Sequence, residues 1–258
     1  MARLLEWKRR GIFILIFNLV LLSVTLLADG SQVVIDDFSA YDVKKFPIVE
    51  SNEWRIFSLT NFQTDVYFVD SEDNNKFLRA VVRPDLERKK KAVTIIKRLI
   101  KSKDDKGASV FYMPKDYPIL GWRWRVNKLP LGSDERVEDA KNQKSDSAAG
   151  VYVYFQKEGQ GPHIIKFVWS EVLPVGARVV SPASKDEFQA HLVVIESGSS
   201  GLGVWHQEQV NVYDEFKKEF GEEKEPPRLL GIGILTDADS TNTEAAADYD
   251  DFILLEHN

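Results

Sequence analysis

Residues 121–126 read GWRWRV, two tryptophans and a valine interleaved with two arginines. In an extended chain successive side chains point to opposite faces, so Trp122, Trp124 and Val126 share one face while Arg123 and Arg125 share the other. A helix would scatter both sets around its circumference, so the alternation predicts a strand with one apolar face and one wet face. Neighbouring runs repeat the split. Tyr152 and Tyr154 alternate with Val151, Val153 and Phe155; Lys166 alternates with Ile165, Phe167 and Trp169; Arg79 faces away from Leu78, Ala80 and Val82.

Working outward, short β-rich runs recur between Gly, Pro, Asp and Ser clusters: SQVVIDDF, DVYFVD, KFLRAVV, GVYVYF, HIIKFVW, HLVVIES, LLGIGIL and DFILLE. Many short strands with this punctuation predict an all-β sandwich or barrel. The clearest helical signal is NVYDEFKKEFG, with Tyr213, Phe216 and Phe220 on one face and Gly221 as the stop, so one short helix is expected near 211–220. The polar stretches Gly132–Gly150 and Gly221–Pro227 are expected to be loops.

With 258 residues, 43% hydrophobic and 11% aromatic, residues 31–258 are long enough for a single domain with a large core. The net charge is −6, and the first thirty residues are net basic, so the remainder is more acidic still. Such a surface repels phosphate backbones and argues against general nucleic-acid binding. Residues 1–30 join a basic start to an apolar run from Ile12 to Ala28, the layout of a secretory signal, with Ala28 and Gly30 as the small residues before a cut. An uncleaved anchor is the alternative, and membrane contact is expected only through that segment. Both readings send the globular part to the periplasm, the cell surface or the medium. The chain has no cysteine, which excludes disulfides, thiolate metal sites and cysteine nucleophiles.

The motifs YPILGWRWRV, SAAGVYVYF, KFVWSEVLPVG, VVIESGSSGLGVW, NVYDEFKKEFGEE and GIGILTDADSTNTEAAADYDDF, in this order, resemble the bacterial family called domain of unknown function 3047, from about Tyr117 to Phe252. The resemblance implies a β-rich exported domain and names no catalyst. The chain departs from that family's pattern at Ser145-Asp146-Ser147-Ala148-Ala149-Gly150, where paired aspartates and a later arginine are usual, and at Val210, where an arginine is usual. A looser likeness, carried by VIDDFS and YDDFILLE, is to jelly-roll carbohydrate-binding modules. It implies a jelly-roll-like antiparallel β-sandwich whose first and last strands lie side by side.

If the apolar sets face the core, Arg79, Arg123, Arg125, Tyr152, Tyr154 and Lys166 are expected to line one outer sheet face. Such a surface suits sugars or anionic polymers, because rings stack on apolar ligand faces and guanidinium forks bind carboxylates. An ordinary solvated face neutralised by nearby acids is the plainer alternative.

The acidic run TDADSTNTEAAADYDDF, residues 236–252, places Asp237, Asp239, Thr241 and Asp248 at the first, third, fifth and twelfth positions of a Ca²⁺-loop frame. The frame then fails, because Asn242 holds the glycine position and Asp248 replaces the bidentate Glu. A structural Ca²⁺ bound at a sandwich rim, with Asp37, Asp237, Asp239 and Asp251 as ligands, is the cation expectation. Turn capping by the same acids competes with it. A carboxylate pair such as Asp237 and Asp239 would also serve a glycosidase.

His163, His191, His206 and His257 show neither HxH nor HExxH spacing, so no zinc site is expected. GSSGLG, residues 198–203, is neither a Walker loop nor a dinucleotide fingerprint and is expected to form a tight turn. Glu87–Lys106 concentrates nine basic residues, suited either to an acidic partner through residues 88–106 or to an edge hairpin guarded by lysines. Taken together, the sequence leads to an exported non-catalytic protein that binds a carbohydrate or envelope polymer. A structural component of an exported assembly and a carbohydrate-active hydrolase or lyase using rim carboxylates are the two alternatives.

Overall fold

A computed structural model describes residues 31–46, 54–56, 65–85, 93–136, 144–157, 161–180 and 189–257. Residues 1–30, where a secretory signal or anchor is expected, and Arg88–Ala92 of the basic strip lie outside the described residues. Among the described residues, fifteen strands and one helix follow in chain order. They begin with β1 (Gln32–Asp36), β2 (Trp54–Ile56), β3 (Tyr67–Glu72), β4 (Asn75–Val82), β5 (Ile95–Arg98), β6 (Ile100–Lys103), β7 (Ser109–Phe111) and β8 (Ile119–Lys128). They continue with β9 (Ala149–Phe155), β10 (His163–Ser170), β11 (Arg178–Val180), β12 (Gln189–Ser197), β13 (His206–Asn211), α1 (Val212–Phe220), β14 (Leu229–Leu235) and β15 (Ala245–Leu255).

The strands form a jelly-roll-like β-sandwich. One sheet runs β13-β8-β15-β4-β3, and β1 pairs with the later half of β15; the other runs β11-β12-β10-β9-β14-β5-β2. The first and last strands therefore lie side by side, Gln32 opposite Leu255. Pairing is antiparallel throughout except between β10 and β12, which run parallel. The remaining strip from Ile95 contributes β5 to the larger sheet and the exposed β6–β7 hairpin.

The alternation in GWRWRV is realised. Trp122, Trp124 and Val126 have no exposed surface, and across the sandwich Trp122 meets Phe167 at 5.9 Å between ring centroids while Trp124 meets Trp169 at 6.2 Å. Burying aromatic rings of this size from both layers favours closing one sheet on the other.

The helix closes one end of the sandwich. Asn211 caps it by accepting from the Asp214 amide at 3.0 Å, acids fill its first turn and lysines its last, as the helix dipole favours. Its buried stripe is Val212, Phe216 and Phe220, with Tyr213 turned toward Glu225 instead. Phe216 packs 4.9 Å from the inward-facing Phe155, which anchors the helix on the larger sheet.

Candidate functional site

Strand order divides the six residues expected on one outer face. Arg79, Arg123 and Arg125 stand on β4 and β8 of the six-stranded sheet, whereas Tyr152, Tyr154 and Lys166 stand on β9 and β10 of the other. Both sets point away from the core, so they lie on opposite sides of the molecule. The expectation of a single Arg/Tyr surface is corrected accordingly.

The arginine set is an ion-pair ladder. Asp248 lies opposite Arg79 across one ladder and opposite Arg125 across the next, and Asp250 lies opposite Arg123. Arg79 Nε donates to Asp248 at 2.7 Å and its Nη1 to Asp70 at 2.6 Å; Arg125 reaches Asp248 at 2.8 Å and Glu72 at 2.8 Å; Arg123 reaches Asp250 at 2.6 Å. Trp205 lies against the guanidinium groups of Arg123 and Arg125, with 4.6 and 4.8 Å from their carbons to its ring centroid. These cations are spent on cross-strand partners, which makes this face a structural one.

The four expected Ca²⁺ ligands also separate. Asp37 accepts the amide and hydroxyl of Ser39 in a local turn, which holds its carboxyl below the usual range, and Asp251 sits 2.8 Å from Arg123 Nε on the six-stranded sheet. Asp237 and Asp239 stay together, joined by Asp146, with one carboxylate oxygen from each within 4.8 Å of the others. Asp146 is fully buried and caps the turn that follows β14. Its Oδ1 accepts the Ser240 amide at 3.1 Å, and its Oδ2 accepts the Thr241 amide and hydroxyl at 2.7 Å each. Asp237 Oδ1 likewise accepts the Asp239 amide at 3.1 Å, so turn capping accounts for part of the cluster.

Next to these acids lies the outer face of the seven-stranded sheet. Tyr152 pairs in register with Lys166 on one side and Gly233 on the other, and Tyr154 with Ile164 and Gly231. In LLGIGIL the isoleucines Ile232 and Ile234 enter the core, so the glycines face outward and leave room for rings. A Cβ on Gly233 would meet Tyr154 Cε2 at 2.9 Å, and one on Gly150 would meet Tyr152 Cε1 at 2.9 Å. The rings therefore lie along the sheet. Both tyrosines are buried, 6% exposed each, rather than standing in water as the alternation alone suggests.

The Tyr152 ring runs back toward Gly150, at the rim where Asp237 begins the acidic turn, and its hydroxyl makes no hydrogen bond among the described residues. Lys166 Nζ sits 5.0 Å from the centroid of that ring and, among the described residues, has no carboxylate within salt-bridge distance. Burial pulls the Lys166 ammonium below its ordinary pKa, with Asp237 opposing the shift. Burial, joined by the charges of Asp239 and Asp146, pushes the Asp237 carboxyl well above the usual carboxylate range. Environment thus drives an acid up and a base down on elements that meet at this face, shifts that bring the two groups' proton affinities closer together.

The same face continues into a groove of about 380 Å³ lined by Arg55, Ile96, Arg98, Phe111, Tyr154 and Leu230 among others. Its walls are mainly apolar, and both the Arg98 and Arg228 guanidinium groups lie over the Phe111 ring, 5.7 and 4.6 Å from its centroid. Phe111, Arg55 and Arg98 carry no periodic signal that marks a site in sequence, because each lies on a different short strand. Asp146 was visible only as a departure from a family pattern.

A family model described as "Protein of unknown function (DUF3047)" matches residues 52–253. Among curated proteins none matches the chain. Similar solved structures include the Trichoderma harzianum endoglucanase 3 from family GH12, at 9% identity with 90% of this chain and 99% of that one covered and a TM-score of 0.42. Endoglucanase cel12A from Rhodothermus marinus is similar at 9% identity, 88% and 100% coverage and a TM-score of 0.42. The mannan-recognising module TmCBM27 is similar at 12% identity, 88% and 96% coverage and a TM-score of 0.34. At such TM-scores the likeness carries no argument about function, which rests on the chain's own residues.

Proposed function

The chain belongs to the DUF3047 family, and from that premise we propose that it is an exported binding protein that takes an anionic glycan or envelope polymer along the outer face of its seven-stranded sheet. The groove between Phe111 and Tyr154 is the observation that carries this reading. Its volume lies in the range of ligand sites, its aromatic and aliphatic lining suits the apolar faces of sugar rings, and Arg55 and Arg98 at its border suit carboxylate or phosphate substituents. Export rests on the basic-then-apolar N-terminus.

The test compares wild type with Arg98→Ala and Phe111→Ala on immobilised anionic and neutral polysaccharides. Retention on the anionic polymers that falls at least tenfold in both variants, with unchanged melting temperature, supports the reading. Unchanged retention in both variants removes the groove from it.

A carbohydrate-active hydrolase or lyase is the second reading, favoured by the upshifted Asp237 beside the downshifted Lys166 at the end of the same face. A polymer lying in the groove would extend past Tyr152 toward the acidic turn. Shortening of bound polymer by wild type, lost in both Asp237→Asn and Lys166→Met, supports catalysis; turnover surviving in Asp237→Asn removes that residue from the mechanism.

A further inference from the structure

One edge of the sandwich breaks the apolar pattern of the core. In the ladder between β13 and β8, His206 lies opposite Trp124 and Glu208 opposite Trp122. Residues directly opposite across an antiparallel pair point to the same side, so His206 and Glu208 face inward beside two tryptophans with no exposed surface. From the other sheet Glu196, near the end of β12, comes to meet them. Its Oε1 lies 3.0 Å from His206 Nδ1, and one ligand atom from each of Glu196, His206 and Glu208 lies within 4.8 Å of the other two.

Two carboxylates are thus gathered at a half-buried seam with no lysine or arginine in salt-bridge contact with either among the described residues. Among the described residues, the side-chain donors that bond them are the imidazole and the Trp124 indole, which donates to Glu208 Oε1 at 3.1 Å. An amide at 208 would satisfy the indole equally well without the cost of placing charge there.

The surroundings also fix the imidazole. Gly201 adopts φ +84°, and a Cβ there would lie 2.6 Å from His206 Nε2, so the turn GSSGLG leaves space for a ring that any other residue at 201 would displace. Trp169 stands edge-on to the same ring at 4.8 Å between centroids. With Nε2 pressed against the turn, Nδ1 is the nitrogen presented to the carboxylates.

We propose that Glu196, His206 and Glu208 form a divalent transition-metal site that clamps the two sheets at this edge. One imidazole and two carboxylates suit a borderline cation, Zn²⁺ above all, whereas an all-oxygen set would suit Ca²⁺. Trp124 holds Glu208 in the way outer partners orient metal-binding carboxylates. Three protein ligands leave a fourth position for water. The spacing rules that argue against zinc in the sequence miss this site, because His206 and Glu208 are two apart on a strand and Glu196 comes from another sheet.

Titration of the full chain with ZnCl₂ by calorimetry, and with CoCl₂ by visible absorption, tests the proposal. One equivalent of Zn²⁺ is expected, with a Co²⁺ spectrum of low-symmetry coordination and a higher melting temperature in the presence of metal. Glu196→Gln and His206→Gln should each weaken binding at least tenfold, while His191→Gln and Asp237→Asn leave it unchanged. Glu196→Gln leaves the buried tryptophans untouched, so it reports on the site even if changes on β13 perturb folding. Absence of stoichiometric binding, equal affinity in the Glu196 variant, or loss of binding only in the His191 or Asp237 variant overturns the proposal.

Discussion

Arg125 lies directly opposite Asp248 between β8 and β15, and its Nη2 closes to 2.8 Å on Asp248 Oδ2. The same carboxylate takes Arg79 Nε from the other side and the Asn127 amide at 2.9 Å, so one fully buried acid holds three strands in register. Asp248→Asn would leave two partly buried guanidinium groups without their shared anion. Breaking a buried pair by removing one partner costs about 3 kcal/mol or more; the two arginines here keep some solvent and their second acids, so a loss of about 2 kcal/mol is expected. Urea unfolding should show a lower midpoint at unchanged slope, and polymer retention per folded molecule should stay the same.

Gly231 and Gly233 make a matched pair for separating stability from binding. A Cβ at Gly231 would fall 2.7 Å from the Lys97 carbonyl oxygen, which is backbone, whereas one at Gly233 would meet the edge of the Tyr154 ring. Gly231→Ala is expected to cost about 1–3 kcal/mol through backbone displacement. Gly233→Ala should cost less but swing Tyr154 within the groove, lowering polymer retention while the melting temperature moves little. Equal stability losses in the two variants would contradict this geometry.

The acidic turn gives stability a pH dependence of unusual sign. A carboxyl whose folded pKa is raised binds its proton more tightly in the native state, so it contributes stability at low pH that is lost as pH rises from the ordinary value of 3.8 through the raised one. Asp237→Asn removes that loss, so the variant should be more stable than wild type at pH 7 and less different from it at pH 4. Lys166 acts in a separate window. Its lowered pKa penalises the native state below its ordinary 10.5, and stability is recovered only on the alkaline side. Unfolding midpoints across pH, read for both Asp237→Asn and Lys166→Met, distinguish the two contributions.

How much of this was legible in the chain follows from what side-chain alternation can and cannot carry. Period two assigned Trp122 and Trp124 inward and Arg123 and Arg125 outward, because that choice depends only on neighbours in sequence. It could not tell which layer Tyr152 joins, since β8 finds its partners at β13 and β15, more than eighty residues away, while β9 pairs with β10 and β14. That long-range choice put the tyrosines and the arginines on opposite faces. Nor could it see that every residue of β9 is buried, with the Tyr152 and Tyr154 rings lying along the sheet rather than standing out from it. The acidic run was visible as composition, but its division was not: Asp248, Asp250 and Asp251 sit on a strand facing arginines, Glu244 just before that strand pairs with Lys128, and Asp237 and Asp239 remain with Asp146 at the turn.

Tyr152 offers a last discrimination between a packed side chain and a working one. Its ring is held over Gly150 and under the Lys166 ammonium, while its hydroxyl has no hydrogen-bond partner among the described residues and burial pushes its pKa far up. The oxygen is not among the fully buried unpartnered side-chain atoms, so it keeps contact with solvent, and removing it is close to neutral when packing alone matters. Tyr152→Phe is therefore expected to change stability by no more than about 0.5 kcal/mol. The ring and its contact with Lys166 survive the change, so any accompanying fall in polymer retention or turnover can be traced to the hydroxyl itself. A loss of stability above about 1 kcal/mol would mean that the oxygen is hydrogen-bonded in solution and belongs to the scaffold.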